Sequence, residues 1–75
     1  MLSIVSNTEL PVVVNGDHCT VAGGTTVADV VAQHCSSPDG IAVARNREVV
    51  PRSAWSSTVL AGGDRVEIVT AAAGG

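Results

Sequence analysis

The sequence predicts a two-layer α+β domain, a mixed sheet of four to five strands covered on one face by a single helix. Three observations lead there. Hydrophobic residues make up 45% of the chain, mostly valine and alanine, with Trp55 the sole aromatic, and β-branched side chains fit the pleated surface of a sheet. Short runs of alternating character recur at 10–14, 41–46 and 65–70, the period of half-buried strands. Between them, Val27, Val30, Val31 and His34 or Cys35 fall at the spacing of one apolar helical stripe.

Each element has a local cause. Residues 1–9 read as a flexible N-terminal extension ahead of a domain over 10–70. The run 10–14 is a strand, with Pro11 placed near its start or at an edge because proline cannot donate to a ladder. Asn15-Gly16 is the strongest short hairpin signal, returning the chain as a second strand over 18–22 until Gly23-Gly24 breaks it. Thr26-Val-Ala-Asp29 has the form of a capping box, so the helix starts there and runs to about Cys35. Ser36-Ser-Pro-Asp-Gly40 supplies its stop signals. Residues 41–46 and 48–50 form the third and fourth strands, closed by Pro51. Residues 53–57 make a single helical turn, 61–64 a turn, and 65–70 the last strand.

In this ββ–α–ββ–turn–β order the first and last strands pair in parallel at the sheet centre, with the helix as crossover between two hairpins. Alternation puts Val12, Val14, Ile41, Val43, Val66 and Ile68 on the buried face. Arg45 shares that face and is expected to snorkel to the rim.

A 75-residue chain holds one domain with little room for an internal active site. Net charge is −3, and the side-chain cations are Arg45, Arg47, Arg52 and Arg65; the balance argues against nucleic acid. No apolar run approaches the ~20 residues needed to span a bilayer. Met1 to Leu10 lacks the basic start and long apolar run of a signal peptide. A cytoplasmic location with reduced thiols is expected.

The last five residues, Ala71-Ala72-Ala73-Gly74-Gly75, carry no branched side chain. Such a tail, expected to be flexible, threads a narrow channel, and five extended residues reach up to ~17 Å. Glycine lets the terminal carboxylate approach a reactive centre closely. The pattern points to a carrier whose C-terminal carboxylate is the working group. That group has a pKa of about 3.5 and is inert until activated. With no lysine on the chain, no side-chain amine here can capture an activated acyl group.

Other chemistry reads weakly. His18-Cys19 and His34-Cys35 suggest a zinc quartet, but adjacent strand residues point to opposite faces, so no metal site is expected. The two cysteines read as small hydrophobes. Trp55 reads as a lid on an aromatic-poor core before a partner anchor. Asp29 has a structural explanation at the helix N-terminus, and Gly62-Gly63 is followed by no phosphate-loop pattern. No acid, base or nucleophile of a catalytic site stands out.

Segments across residues 12–75 then match one family: Val12-Val-Val-Asn-Gly16, Thr26-Val-Ala-Asp-Val-Val31, Ile41-Ala-Val-Ala-Arg-Asn46, Glu48-Val-Val-Pro-Arg-Ser-Ala-Trp55, Gly63-Asp-Arg-Val-Glu-Ile-Val69 and Gly74-Gly75. Together, Val50-Pro-Arg-x-x-Trp55, Gly63-Asp64 and the diglycine are specific. The chain resembles the ThiS-type sulfur carriers, β-grasp (ubiquitin-like) proteins. It departs in its first nine residues and in Arg45, where the family more often has an aliphatic residue.

The resemblance implies that an E1-like, ThiF-type enzyme adenylates Gly75 with ATP and magnesium (Mg). Conversion to a thiocarboxylate follows, and a ThiG-type thiazole synthase accepts the sulfur for the thiazole ring of thiamin. Gly75 would carry the sulfur, and Gly74, Ala73, Ala72 and Ala71 would thread. The carrier would bind no cofactor and be a monomer when free. The sister family, the small subunit of molybdopterin synthase, is the same-fold alternative; it tends to have prolines and aromatics where this chain has Thr70-Ala-Ala-Ala73. A ubiquitin-like interaction module without thiocarboxylate is the alternative from another class.

Overall fold

A computed structural model describes residues 9–35 and 39–70. The strands β1 (Glu9–Val14), β2 (Asp17–Ala22), β3 (Ile41–Arg45), β4 (Glu48–Val50) and β5 (Arg65–Thr70) form one sheet. The helix α1 (Val27–His34) lies between β2 and β3, and a 3-10 helix (Arg52–Ser57) follows β4. The strand order is β2-β1-β5-β3-β4, so the last strand in sequence is central. It runs parallel to β1 and antiparallel to β3.

Both hairpins close with two-residue turns whose central residues have positive φ, as type I′ turns require. Asn15 and Gly16 stand at φ 51° and 85° between Val14 and Asp17. Asn46 and Arg47 stand at 52° and 73° between Arg45 and Glu48. Asn46 therefore belongs to the turn, and β3 ends one residue earlier than the alternation suggests. At the other end β1 begins at Glu9, one residue inside the expected extension, because Glu9 still pairs with Ala22.

The capping box forms as the sequence implies. Thr26 Oγ1 accepts from the Asp29 N–H at 3.2 Å, and Asp29 Oδ2 accepts from the Thr26 N–H at 3.0 Å. The helix ends at His34 with Cys35 as C-cap, whose N–H donates to the Val31 carbonyl. Its start is tied to the chain before β5, since the Val27 N–H reaches the Thr58 carbonyl and the Leu60 N–H the Thr25 carbonyl, both at 2.9 Å.

The core comprises Val12, Val14, Val27, Val30, Val31, Val43, Trp55, Leu60 and Val66. Ile41 and Ile68 pack against it only half-buried. An eight-residue helix is ~12 Å long against ~20 Å for a six-residue strand, so it leaves one end of the inner face partly open. That end carries Ile41, Ile68 and Thr70. Trp55 caps the core as expected, and its indole N–H donates to the Val50 carbonyl at 2.9 Å. Among the described residues no helix is long and apolar enough to cross a membrane.

Trp55 is the largest side chain in a core otherwise built from valine and one leucine. Trp55→Ala should cost about 3–5 kcal/mol, close to the whole margin of a domain this size. Trp55→Phe keeps most of the volume and should lose about 1–2 kcal/mol, chiefly through the unpaired Val50 carbonyl. Urea unfolding at neutral pH ranks the two variants.

Candidate functional site: the last strand and its exit

β5 leads into the C-terminal residues, and the fold fixes it at both ends. At its start stands Asp64, 7% exposed and, among the described residues, the one charged side chain that is buried. Its Oδ2 accepts from the Ala61 N–H at 2.8 Å and from Arg45 Nη1 at 3.4 Å, and its Oδ1 from Asn46 Nδ2 at 3.0 Å. Arg45, expected merely to snorkel, is thus the ion-pair partner of Asp64 with its side chain 34% exposed. Burial by itself pushes the Asp64 carboxyl up; the bonds from Ala61 and Asn46 and the charge and bond of Arg45 outweigh it and hold the pKa below its ordinary value. The Asp64 carbonyl accepts from the Val13 N–H at 3.0 Å, and the Gly63 N–H donates to the Pro11 carbonyl at 2.7 Å. Gly63 adopts φ +88°, where a Cβ would be strained.

Two turn asparagines complete the anchoring. Asn46 Oδ1 accepts from the Arg65 N–H at 2.9 Å, at the first residue of β5. Asn15 Oδ1 accepts from the Ile68 N–H at 2.7 Å. The β1 ladder to β5 covers only Val13–Arg65 and Val14–Val66, so the Asn15 amide takes the place of a β1 carbonyl where β1 has turned away. On the other side, β3 pairs with β5 as far as Thr70.

The face of the sheet away from the helix is apolar near this exit. Val69 is 58% exposed and Val49 77%. Ala42 lies opposite Val69, and Ala44 opposite Val49, which puts all four side chains on one face.

Gly75, Gly74, Ala73, Ala72 and Ala71 lie outside the described residues. Cys19 is exposed on β2, and Cys35 is half-buried beside a groove of about 400 Å³ between α1 and the 3-10 helix. His34 Nδ1 lies 3.0 Å from the Val30 carbonyl and donates to it in the Nδ1-protonated form. Among the described residues no three His, Cys, Asp or Glu side chains converge as a metal site. Sequence reasoning missed the positioning roles of Asp64, Asn46 and Asn15. The sequence offers both Asn15-Gly16 and Gly63-Asp64 as turn and motif residues, with no sign of these bonds, because the partners lie 18 to 53 residues away along the chain.

The family model described as ThiS family matches residues 12–75. The chain belongs to the ThiS family. Its five-stranded mixed sheet with one main helix is the family's β-grasp fold. The crystal structure of a thiamine biosynthesis protein (ThiS) from Geobacter metallireducens is similar, with a TM-score of 0.75 and 30% identity, covering 88% of this chain and 100% of that one. No curated protein matches the sequence. Family membership sets the chain among small sulfur carriers, which are generally not enzymes.

Asp64 supplies a pH-dependent part of the stability. Because its folded pKa is lowered, that part is fully present above the unfolded value of 3.8 and is lost as pH falls through the folded value. Asp64→Ala should destabilise by about 2–4 kcal/mol at neutral pH, since three donors lose a charged acceptor. Asp64→Asn should flatten the acid limb of a stability–pH curve obtained by denaturant titration. An unchanged acid limb would show that other carboxylates carry it.

Proposed function

We propose that the chain carries sulfur on the carboxylate of Gly75 for construction of the thiazole ring of thiamin. The observation behind this reading is the family match, which runs through the diglycine to residue 75 and so takes in the residues directly after a strand anchored at both ends. Similarity to a thiamine biosynthesis protein over 88% of the chain supports thiamin ahead of molybdopterin.

The chemistry follows from an inert carboxylate. A partner adenylating enzyme of the E1-like, ThiF type binds ATP with magnesium. A carboxylate oxygen of Gly75 attacks the α-phosphorus, pyrophosphate leaves, and an acyl adenylate forms. Sulfur from a donor displaces AMP, giving a thiocarboxylate that is ionised at neutral pH and a soft nucleophile. A thiazole synthase of the ThiG type takes that sulfur, and hydrolytic release regenerates the carboxylate. ATP and magnesium stay with the partner; the carrier contributes recognition and reach. Gly74, Ala73, Ala72 and Ala71 pass through the partner's channel without a side chain to block it. The apolar face around Val69, Ala42 and Val49 offers the contact area that offsets the ordering of this tail, about 1–2 kcal/mol per residue. The carrier works as a monomer in the cytoplasm, with Cys19 and Cys35 as thiols outside the transfer chemistry.

The test separates tail from fold. The described backbone ladder ends at Thr70, so deletion of Gly75 or a C-terminal tag should leave thermal unfolding unchanged within about 1 °C. The same changes should abolish ATP–pyrophosphate exchange by the adenylating enzyme of the same organism. Normal exchange with a blocked terminus would overturn the reading and favour an interaction module that acts by its sheet surface.

A further inference from the structure

The two hairpin turns form a comparison within one chain. Both use asparagine first, at φ 51° and 52°. At the second position the first turn has Gly16 at φ 85°, the residue such turns favour, whereas the second has Arg47 at φ 73°. A side chain with a Cβ is disfavoured there, and the fold gains nothing visible from this one. Among the described residues Arg47 makes no side-chain hydrogen bond and has no carboxylate within ion-pair distance, and the same holds for Arg65. The other two arginines are committed, Arg45 to Asp64 and Arg52 to Asp39.

Arg47 and Arg65 meet in one place. Together with Asn46 and Gly63 they line an open recess of about 310 Å³ at the end of the sheet opposite Thr70. The recess is built on fixed backbone: both polar atoms of the Asn46 amide are used, one on Asp64 and one on the Arg65 N–H. In a chain of net charge −3, the uncommitted positive side chains are therefore gathered at one corner. That corner lies about 17 Å along β5 from Thr70, the rise of five strand residues. Arg65 shares the outward face of β5 with Glu67 and Val69, so the corner and the apolar patch border the same sheet face.

We propose that Arg47 and Arg65 form an electrostatic docking corner for carboxylates on the protein partner that takes up the C-terminal tail, the adenylating enzyme. This rests on the carrier reading. The corner fixes the orientation in which the sheet face meets the partner, so that the tail is presented to the channel rather than away from it. A protein surface is the fitting occupant because the arginines are exposed on a strand and a turn, and converge on no enclosed cavity for a small anion. Arginine suits the role because its planar fork matches carboxylate geometry. Contacts of this exposed kind act mainly on association rate and its salt dependence.

The experiment uses the full chain and the adenylating enzyme of the same organism, with association followed by stopped-flow at low and physiological salt. Arg47→Gly should raise the melting temperature by about 2–5 °C, as relief of the backbone exceeds the added freedom of the unfolded chain. The same change should slow association at low salt, and adding Arg65→Gln should bring the loss to about five- to tenfold with a flatter salt dependence. Arg52→Gln removes the same unit of charge elsewhere and should slow association far less. Unaltered association in the double variant, or an equal loss with Arg52→Gln, would overturn the proposal. Failure of the unsubstituted chain to support ATP–pyrophosphate exchange would instead overturn the carrier reading beneath it.

Discussion

A single buried carboxylate holds the polar framework of this domain. Valine cores are non-directional: many arrangements of Val12, Val14, Val30, Val43 and Val66 would bury similar area. Asp64 removes that freedom. Its two oxygens join the turn at 61–64, the end of β3 and the β3–β4 turn, while its backbone carbonyl joins β1. A shift of β5 by one residue would leave the carboxylate buried without donors, a cost that apolar contacts in a domain this small could not offset. The ion pair with Arg45 is the longest of its contacts at 3.4 Å and is partly exposed. The fixed amide donors of Ala61 and Asn46 therefore define the geometry more sharply than the ion pair does.

The two asparagines extend that control along β5. Each occupies the first central position of a hairpin turn, and each sends its side-chain oxygen to a backbone N–H of β5. Asparagine tolerates the left-handed conformation and also carries the amide, so one residue type meets both demands. The central strand is thus fixed at Arg65 by one hairpin and at Ile68 by the other. Its last described residue, Thr70, is still held by pairing with β3. For a carrier this matters, since every residue that must be ordered on the partner adds to the cost of delivery.

Much of this was legible in the sequence. The order of elements, the capping box and the valines of the inner face followed from period and turn chemistry, which are local, and the parallel pairing of first and last strands followed from that order. β1 and β2 each began one residue before the expected start, and β3 gave up Asn46 to its turn. Ile41 and Ile68 proved half-buried because alternation reports a face and says nothing of how far a short helix covers it. The Asp64 cluster was not legible, since Arg45 and Asn46 meet it only after the sheet has formed. Nor could strand alternation show that Arg47 and Arg65 share a recess. The proposed sulfur-bearing residue was the reverse case. Gly75 stood out in the sequence through its chemistry alone and lies outside the described residues.

In the proposed function, sulfur is carried on the C-terminal carboxylate beyond β5. The intact mass of the protein isolated from its native host during growth without thiamin decides whether it is. A sulfur carrier yields a fraction heavier by the difference between one sulfur and one oxygen, with fragmentation placing the gain on Gly75. An unmodified mass under every growth condition, or a gain placed on Cys19 or Cys35, would contradict it.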